Sequence, residues 1–157
     1  MKKLLLILSL TVTGCAFHQQ PYVMHAGNTP QSETAVFASL DDRSTKFNDS
    51  RILSVNEKKT PCAQVGCPYW VRVTPGSHTF KVRYTSNHHW NLHSSGYSVA
   101  ELDVALDDMK PRHVYVLRYL ERNDEVVAFA EDLGENPDYG ITLGLEGVNK
   151  RFYKVDF

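Results

Sequence analysis

The sequence predicts an all-β domain, folded as a single antiparallel β-sandwich. Three observations lead to this prediction. From residue 34 onward, apolar and polar residues alternate with a period of two in many short segments, and helical periodicity is hard to find. Turn-forming residues such as Pro, Gly, Asn and Asp separate these segments. Roughly seven to nine short strands at this spacing are typical of a sandwich.

Each strand is predicted from its own alternation. In the clearest segment, Phe80 and Val82 are predicted to face inward, while Lys81 and Arg83 face solvent. The other alternating segments are residues 69–73, 100–106, 127–129, 141–145 and 153–157, and weaker candidates are residues 35–40 and 51–55.

One candidate strand is apolar on both of its faces. Residues 114–120 are apolar or aromatic at every position except Arg118. This pattern is typical of a central strand that is covered on both sides. The next segment alternates again, which predicts that Val127 and Phe129 lie on the inner side of the sheet.

Composition limits the size and the class of the protein. The chain has 157 residues, of which 42% are hydrophobic and 22% charged, so one globular domain with its own core is expected. The 17 Lys and Arg residues against 18 Asp and Glu give a net charge of −1, so no basic excess points to nucleic acid. The common hydrolase, zinc-protease, P-loop and dinucleotide motifs do not occur, so nothing in the sequence favours an enzyme.

The N-terminal segment has the features of an export signal. Two lysines precede an apolar stretch, residues 4–12, that is too short to cross a hydrocarbon core of about 30 Å. It ends in Val-Thr-Gly-Cys at residues 12–15, which resembles the lipobox of bacterial lipoproteins. The resemblance implies that residues 1–14 are a cleaved signal peptide. It also implies that the Cys15 sulfur carries diacylglycerol and that the new amino group carries an acyl chain such as palmitate.

The lipobox resemblance also predicts location and tethering. Ala16, rather than Asp, follows Cys15, and in lipoproteins this favours the outer membrane, with the domain facing the periplasm. Several acyl chains, at about 0.8 kcal/mol per CH₂, bind a membrane essentially permanently. Residues 15–33 are polar and aperiodic, which predicts a flexible tether with solvated histidines. The sandwich domain is therefore expected to span residues 34–157.

One stretch resembles a known small domain. Residues 69–84 contain a strand, the turn Pro-Gly-Ser-His and a second, alternating strand. This order resembles a hairpin of small immunoglobulin-like or PEGA-like domains in bacterial envelope lipoproteins, and the Tyr-bearing strand after residues 110–112 is similar to their later strand. The resemblance covers about residues 50–132. It implies an immunoglobulin-like sandwich in the cell envelope, and it implies no catalytic residues.

Two cysteines remain once Cys15 is lipidated. Cys62 and Cys67 are separated by four residues, and the periplasm is oxidising, so we predict a disulfide between them. Free thiols, metal-binding thiols and a redox site are the alternatives, although redox sites favour the tighter Cys-x-x-Cys spacing.

Histidines cluster between two predicted strands. His88, His89 and His93 lie within six residues, in a segment from 86 to 96 that predicts a polar loop or hairpin tip between two strands. Neutral imidazoles can ligate Zn²⁺ or Cu²⁺. Further ligands from neighbouring strands would be His113, Glu101 or Asp103. Alternatively, the loop is a recognition surface with Trp90 as its aromatic anchor, or an ordinary solvated loop.

Together these features predict a lipid-anchored outer-membrane lipoprotein that acts as a non-catalytic binding or scaffold module without a cofactor. Its partner would be another envelope protein or the cell wall, contacted through the loops at residues 86–96 and 61–68. The alternative is a periplasmic protein that binds Zn²⁺ or Cu²⁺ through the histidine-rich loop.

Overall fold

The fold consists almost entirely of β-strands. The computed structural model describes residues 18–40, 48–62, 66–91, 94–122 and 125–157. The strands are β1 (Tyr22–Val23), β2 (Ala35–Ala38), β3 (Asn48–Val55), β4 (Lys58–Lys59), β5 (Trp70–Val73), β6 (Gly76–Asn91), β7 (Ser94–Met109), β8 (His113–Arg122), β9 (Glu125–Glu135), β10 (Gly140–Leu143) and β11 (Arg151–Lys154). A short 3-10 turn at Gln31–Glu33 precedes β2. Within these residues no helix is both long and apolar enough to span a bilayer.

Two sheets and a hairpin form the architecture. One sheet has five strands in the order β1-β5-β2-β8-β9, and the other has four in the order β4-β3-β6-β7. Strands β10 and β11 form a separate two-stranded hairpin. The sheets pack together through a shared apolar core, which confirms the predicted all-β class and is consistent with a β-sandwich.

The main core lies between the two sheets. Phe37 and Ile52 come from opposite sheets and are fully buried, as are Phe80, Val82 and Leu117. The Phe37 and Phe80 rings stack with their centroids 3.9 Å apart. The predicted alternation of Phe80 and Val82 toward the core is therefore confirmed.

A second core lies on the other face of the five-stranded sheet. Trp70, Val114 and Val116 of that sheet pack with Tyr139 and Ile141, which belong to the β10–β11 region. Strand β8 therefore contributes to both cores, because its alternate residues face opposite sides of the sheet. This confirms the prediction of a strand inside the sheet that is covered on both sides for residues 114–118, whereas Leu120 at its far end is exposed.

The five-stranded sheet is mixed rather than purely antiparallel as predicted. Strand β1 runs parallel to β5, and β2 runs parallel to β8. Parallel neighbours need a long crossover between them, and the whole four-stranded sheet is inserted between β2 and β8. Side-chain alternation has the same period in both kinds of pairing, so the sequence pattern did not distinguish them.

The segment predicted to be a flexible tether is partly built into the sheet. Tyr22 pairs with Val71, and the Met24 amide donates a hydrogen bond to the Arg72 carbonyl at 2.9 Å. Tyr22 and Met24 also pack against the main core. The histidines expected to be solvated, at positions 18 and 25, are half-buried. Tyr22 and Met24 form too short a segment to show an alternating strand pattern in the sequence. In the structure this segment covers the edge of β5.

Strand β9 presents the opposite face from the one predicted. Ala128 and Ala130 pack against the main core, whereas Val127 and Phe129 point outward. On the inner face, Ala128 lies opposite Tyr119 of β8, and Ala130 lies opposite Leu117. A small residue beside each large one fills the space between the sheets, and this pairing selects the alanine face.

Candidate functional site

The strand registers define two ends of the sandwich. At one end, the Trp70 indole donates a hydrogen bond to the His18 carbonyl at 3.0 Å, and the Tyr119 hydroxyl donates one to Ser50 at 2.8 Å. We call this the His18 end; it includes the start of β3, the last residues of β8 and the first residues of β9. The opposite end, the Gly76 end, contains the pair of Gly76 and Met109 and the turn before β8.

The longest hairpin of the fold extends beyond its sheet at the His18 end. Strands β6 and β7 have 16 residues each and pair along their length. In the described part of the chain, β3 pairs with β6 from Asn48 onward, and Asn48 lies opposite Ser86. Among the described residues, the hairpin beyond this pair has two strands only, and we call residues 87–91 and 94–97 the arm. The arm pairs are Asn87 with Tyr97, His88 with Gly96, His89 with Ser95, and Asn91 with Ser94.

Of the two predicted alternatives for residues 86–96, a loop or a hairpin tip, the arm is the end of a hairpin, and strand pairing extends into the segment rather than stopping at its start. Ser, Asn, His and Gly do not alternate with apolar residues there, so the segment gave no strand pattern. Cross-strand backbone hydrogen bonds form irrespective of side chain, and they extend the hairpin outward. For His88, His89 and Trp90 the structure describes the backbone alone, and His93 lies outside the described residues, as does Cys15.

The predicted additional metal ligands do not accompany the arm. His113 lies at the Gly76 end, where its Nδ1 is 2.9 Å from an Asp132 carboxylate oxygen. Asp103 pairs with the Lys81 ammonium at 2.8 Å, and Glu101 pairs with Arg83 at 3.2 Å. In the part of the chain that the structure describes, no group of three or more His, Cys, Asp or Glu residues is arranged to hold a metal ion.

The outer face of the four-stranded sheet carries a shallow groove. Its volume is about 830 Å³. The two ion pairs just described, Lys81 with Asp103 and Arg83 with Glu101, lie along it together with the β4 edge and Cys62. Paired charges of both signs neutralise one another across the strands, so this surface offers little net field to attract a charged ligand.

A cluster that sequence analysis missed surrounds His18. The Arg51 guanidinium lies 3.7 Å from the centroid of the Tyr69 ring, and the His18 ring lies 4.9 Å from the same ring. Arg51 also donates hydrogen bonds to Asp49 at 2.9 Å and to the Cys67 carbonyl at 3.1 Å. Through this cluster, His18, the first described residue, is held against β3 and the residue that precedes β5.

Burial changes the chemistry of the tyrosine in that cluster. Desolvation raises the pKa of Tyr69 to about 12, and the nearby Arg51 charge only partly opposes this. The phenol therefore stays protonated at neutral pH. It acts as a neutral platform for Arg51 rather than as an acid or a base.

Two arginines are buried on the outer face of the five-stranded sheet. Arg118 donates to Glu131 at 2.7 Å, so this charge is neutralised across β8 and β9. Arg72 donates to the Thr34 hydroxyl at 2.8 Å and to the Asp156 carbonyl at 2.6 Å. Burial lowers the pKa of Arg72 from its usual value, with the Asp156 charge opposing this shift. Arg72 thereby ties the C-terminal segment to β5, a long-range contact that no local pattern indicated.

The predicted disulfide is confirmed. Cys62 and Cys67 are bonded, with their α-carbons 4.0 Å apart. The Thr60 hydroxyl, next to this loop, donates to the Ile52 carbonyl at 2.6 Å. The disulfide therefore closes a loop within the connection between β4 and β5, and the Thr60 hydrogen bond attaches this connection to β3.

We expect the Cys62→Ser/Cys67→Ser variant to lose about 2 kcal/mol of unfolding free energy, because a cross-link over so short a loop removes little entropy from the unfolded chain. Urea unfolding of a protein comprising residues 16–157 measures this loss. Wild-type protein under a reductant is the control, and it should unfold at the same urea concentration as the variant. Equal stability of oxidised wild type and variant would contradict a stabilising role.

Comparisons with known proteins give no match: no family model fits the chain, and neither the curated proteins nor the solved structures contain a significant relative.

Proposed function

We propose that this protein is an outer-membrane lipoprotein, anchored through Cys15 and facing the periplasm, that acts as a non-catalytic binding or scaffold module. In this proposal residues 1–14 are removed as a signal peptide, and the remaining chain forms an immunoglobulin-like sandwich. The lipobox-like Val-Thr-Gly-Cys sequence supports the anchor, and the two packed sheets and the disulfide suit an exported domain.

The observation that carries the binding role is the arm. A two-stranded ribbon without further strands is at best marginally stable in water, so contact with another molecule would stabilise the arm. It also carries Trp90, a residue type enriched at the centre of protein interfaces. We therefore infer that the arm contacts another molecule.

The position of the arm narrows the class of partner. The arm leaves the sandwich at the His18 end, and His18 is three residues from the proposed lipid anchor. A partner that contacts the arm would therefore lie close to the membrane surface. An envelope protein in or on the outer membrane fits this position better than a component deep in the periplasm.

Photo-crosslinking in intact cells tests this proposal. A photoreactive phenylalanine analogue at Ser95, opposite His89 in the arm, should give a discrete adduct with one envelope component. The same analogue at Phe152, an exposed position outside the arm, is the matched control and should give none. Adding Trp90→Ala should reduce the Ser95 adduct at least about tenfold, since interface tryptophans typically contribute 2 kcal/mol or more.

A different result at the arm histidines would favour metal binding over the scaffold role. If the adduct survives Trp90→Ala but disappears when His88, His89 and His93 are all changed to alanine, metal binding becomes the better account. Calorimetric titration of the mature protein with Zn²⁺ and Cu²⁺ then decides. Micromolar or tighter binding that vanishes in the triple variant would replace the scaffold proposal, and we expect no such binding.

A further inference from the structure

An exposed apolar patch lies at the His18 end. Leu120 is 58% exposed, Val127 is 53% exposed and Phe129 is 44% exposed. Leu120 lies directly opposite Val127 across β8 and β9, and Phe129 follows two residues later on the same face of β9. The three side chains therefore form one continuous surface, which we call the apolar patch.

The apolar patch is exposed because the second core covers only part of the outer face of the five-stranded sheet. Val114 and Val116 of β8 are buried under the β10–β11 region, and Leu133 of β9 packs there too. Beyond Arg118 the same face continues to Leu120, which is exposed. The apolar residues of β8 and β9 thus continue toward the His18 end, beyond the part of the sheet that the β10–β11 region covers. An apolar surface of this kind marks a contact site for another molecule or for a membrane.

The start of the described chain lies at the same end. The His18 carbonyl accepts a hydrogen bond from the Trp70 indole. Trp70 pairs with Ala38 of β2, which in turn pairs with Val116 of β8. Three residues separate His18 from Cys15 and, by covalent geometry, they span at most about 11 Å. A lipid on Cys15 therefore cannot hold this end of the sandwich far from the bilayer, in contrast to the long tether predicted from sequence.

We propose that the apolar patch at the His18 end lies in the headgroup region of the outer membrane. This inference rests on the proposed lipidation of Cys15. The short distance to the anchor selects the membrane as the occupant, because the bilayer is the surface that this end must face. Apolar side chains at the interface lie partly in the acyl region, as on other membrane-surface proteins.

Depth-sensitive fluorescence tests the orientation. The acylated protein, purified from membranes, is reconstituted into vesicles of phosphatidylethanolamine and phosphatidylglycerol. An environment-sensitive probe is attached to Val127→Cys, and in a separate protein to Lys110→Cys, an exposed position at the Gly76 end. We expect nitroxide lipids to quench the Val127 probe several-fold and to leave the Lys110 probe unchanged. Leu120→Cys, in the same patch, should behave as Val127→Cys.

Each other outcome overturns the inference. Equal quenching at both ends, or none in the patch, would show that the patch does not meet lipid. A concentration-dependent blue shift of the Val127 probe in unlipidated Cys15→Ser protein, without vesicles, would assign the patch to a second copy of the chain. Flotation and intact mass, measured on the same sample, distinguish a failure of the membrane orientation from a failure of the proposed lipidation. An unacylated protein that does not float would remove the lipoprotein proposal itself.

Discussion

Phe37→Ala is expected to lower the free energy of unfolding by about 3–5 kcal/mol, the range for a buried phenylalanine truncated to alanine. Phe37 is fully buried between the sheets, and its ring stacks on Phe80. The strands on either side of β2, which are β5 and β8, are each paired with a further strand. The site therefore has little freedom to collapse around the missing ring. Urea unfolding of the mature protein, followed by circular dichroism, measures the loss.

The matched control for this prediction is Phe152→Ala. The same atoms are removed, but Phe152 is 57% exposed in β11, and we expect a loss below about 1 kcal/mol. A comparable loss in both variants would mean that the main core does not lie between the two sheets. If Phe37→Ala leaves too little folded protein, the milder Ile52→Val keeps the test available, with an expected loss of about 1 kcal/mol.

Cys15→Ser is expected to remove the protein from purified outer membranes almost completely. Serine cannot form the thioether to diacylglycerol, so the chain loses acyl groups whose CH₂ units each contribute about 0.8 kcal/mol of membrane affinity. Loss of acylation also removes the protein from the lipoprotein export route. Fractionation of the cell envelope, with labelled palmitate as tracer, measures both effects.

Cys62→Ser is the matched control for the anchor. It is the same substitution at a cysteine that the fold uses for its disulfide, and it should leave palmitate incorporation and outer-membrane location unchanged. Loss of label from Cys62→Ser, or its retention in Cys15→Ser, would contradict the assignment of Cys15 as the lipidated residue.

Strand positions were largely predictable from sequence because alternation is a local property. Phe80 and Val82 were assigned to the core from neighbouring residues alone, and the two-faced strand at 114–120 was assigned to the centre of a sheet. The Cys62–Cys67 disulfide was equally local, since the two residues are close in the chain.

Features that depend on distant partners were not predictable. Val127 and Phe129 face outward because Ala128 and Ala130 fit beside Tyr119 and Leu117, a choice made by another strand. The parallel pairing of β2 with β8 depends on a crossover through a whole sheet.

The candidate site was only partly predictable for the same reason. The sequence identifies residues 86–96 as a distinct polar segment between two strands, but its side chains do not indicate that backbone pairing continues as far as Asn91 and Ser94. Arg51 and Tyr69 meet His18 through tertiary contacts, so this cluster had no sequence pattern. The short distance from Cys15 to the folded domain became apparent only once His18 was located at one end of the sandwich.

The intact mass of the protein extracted from outer membranes tests the central claim most directly. The proposed function predicts a chain that begins at Cys15 and carries a diacylglycerol group and a further acyl chain. A protein that keeps residues 1–14, begins at a residue other than Cys15, or begins at Cys15 without acyl groups would contradict the claim. In that case the membrane orientation inferred from His18 and the apolar patch would be withdrawn with it.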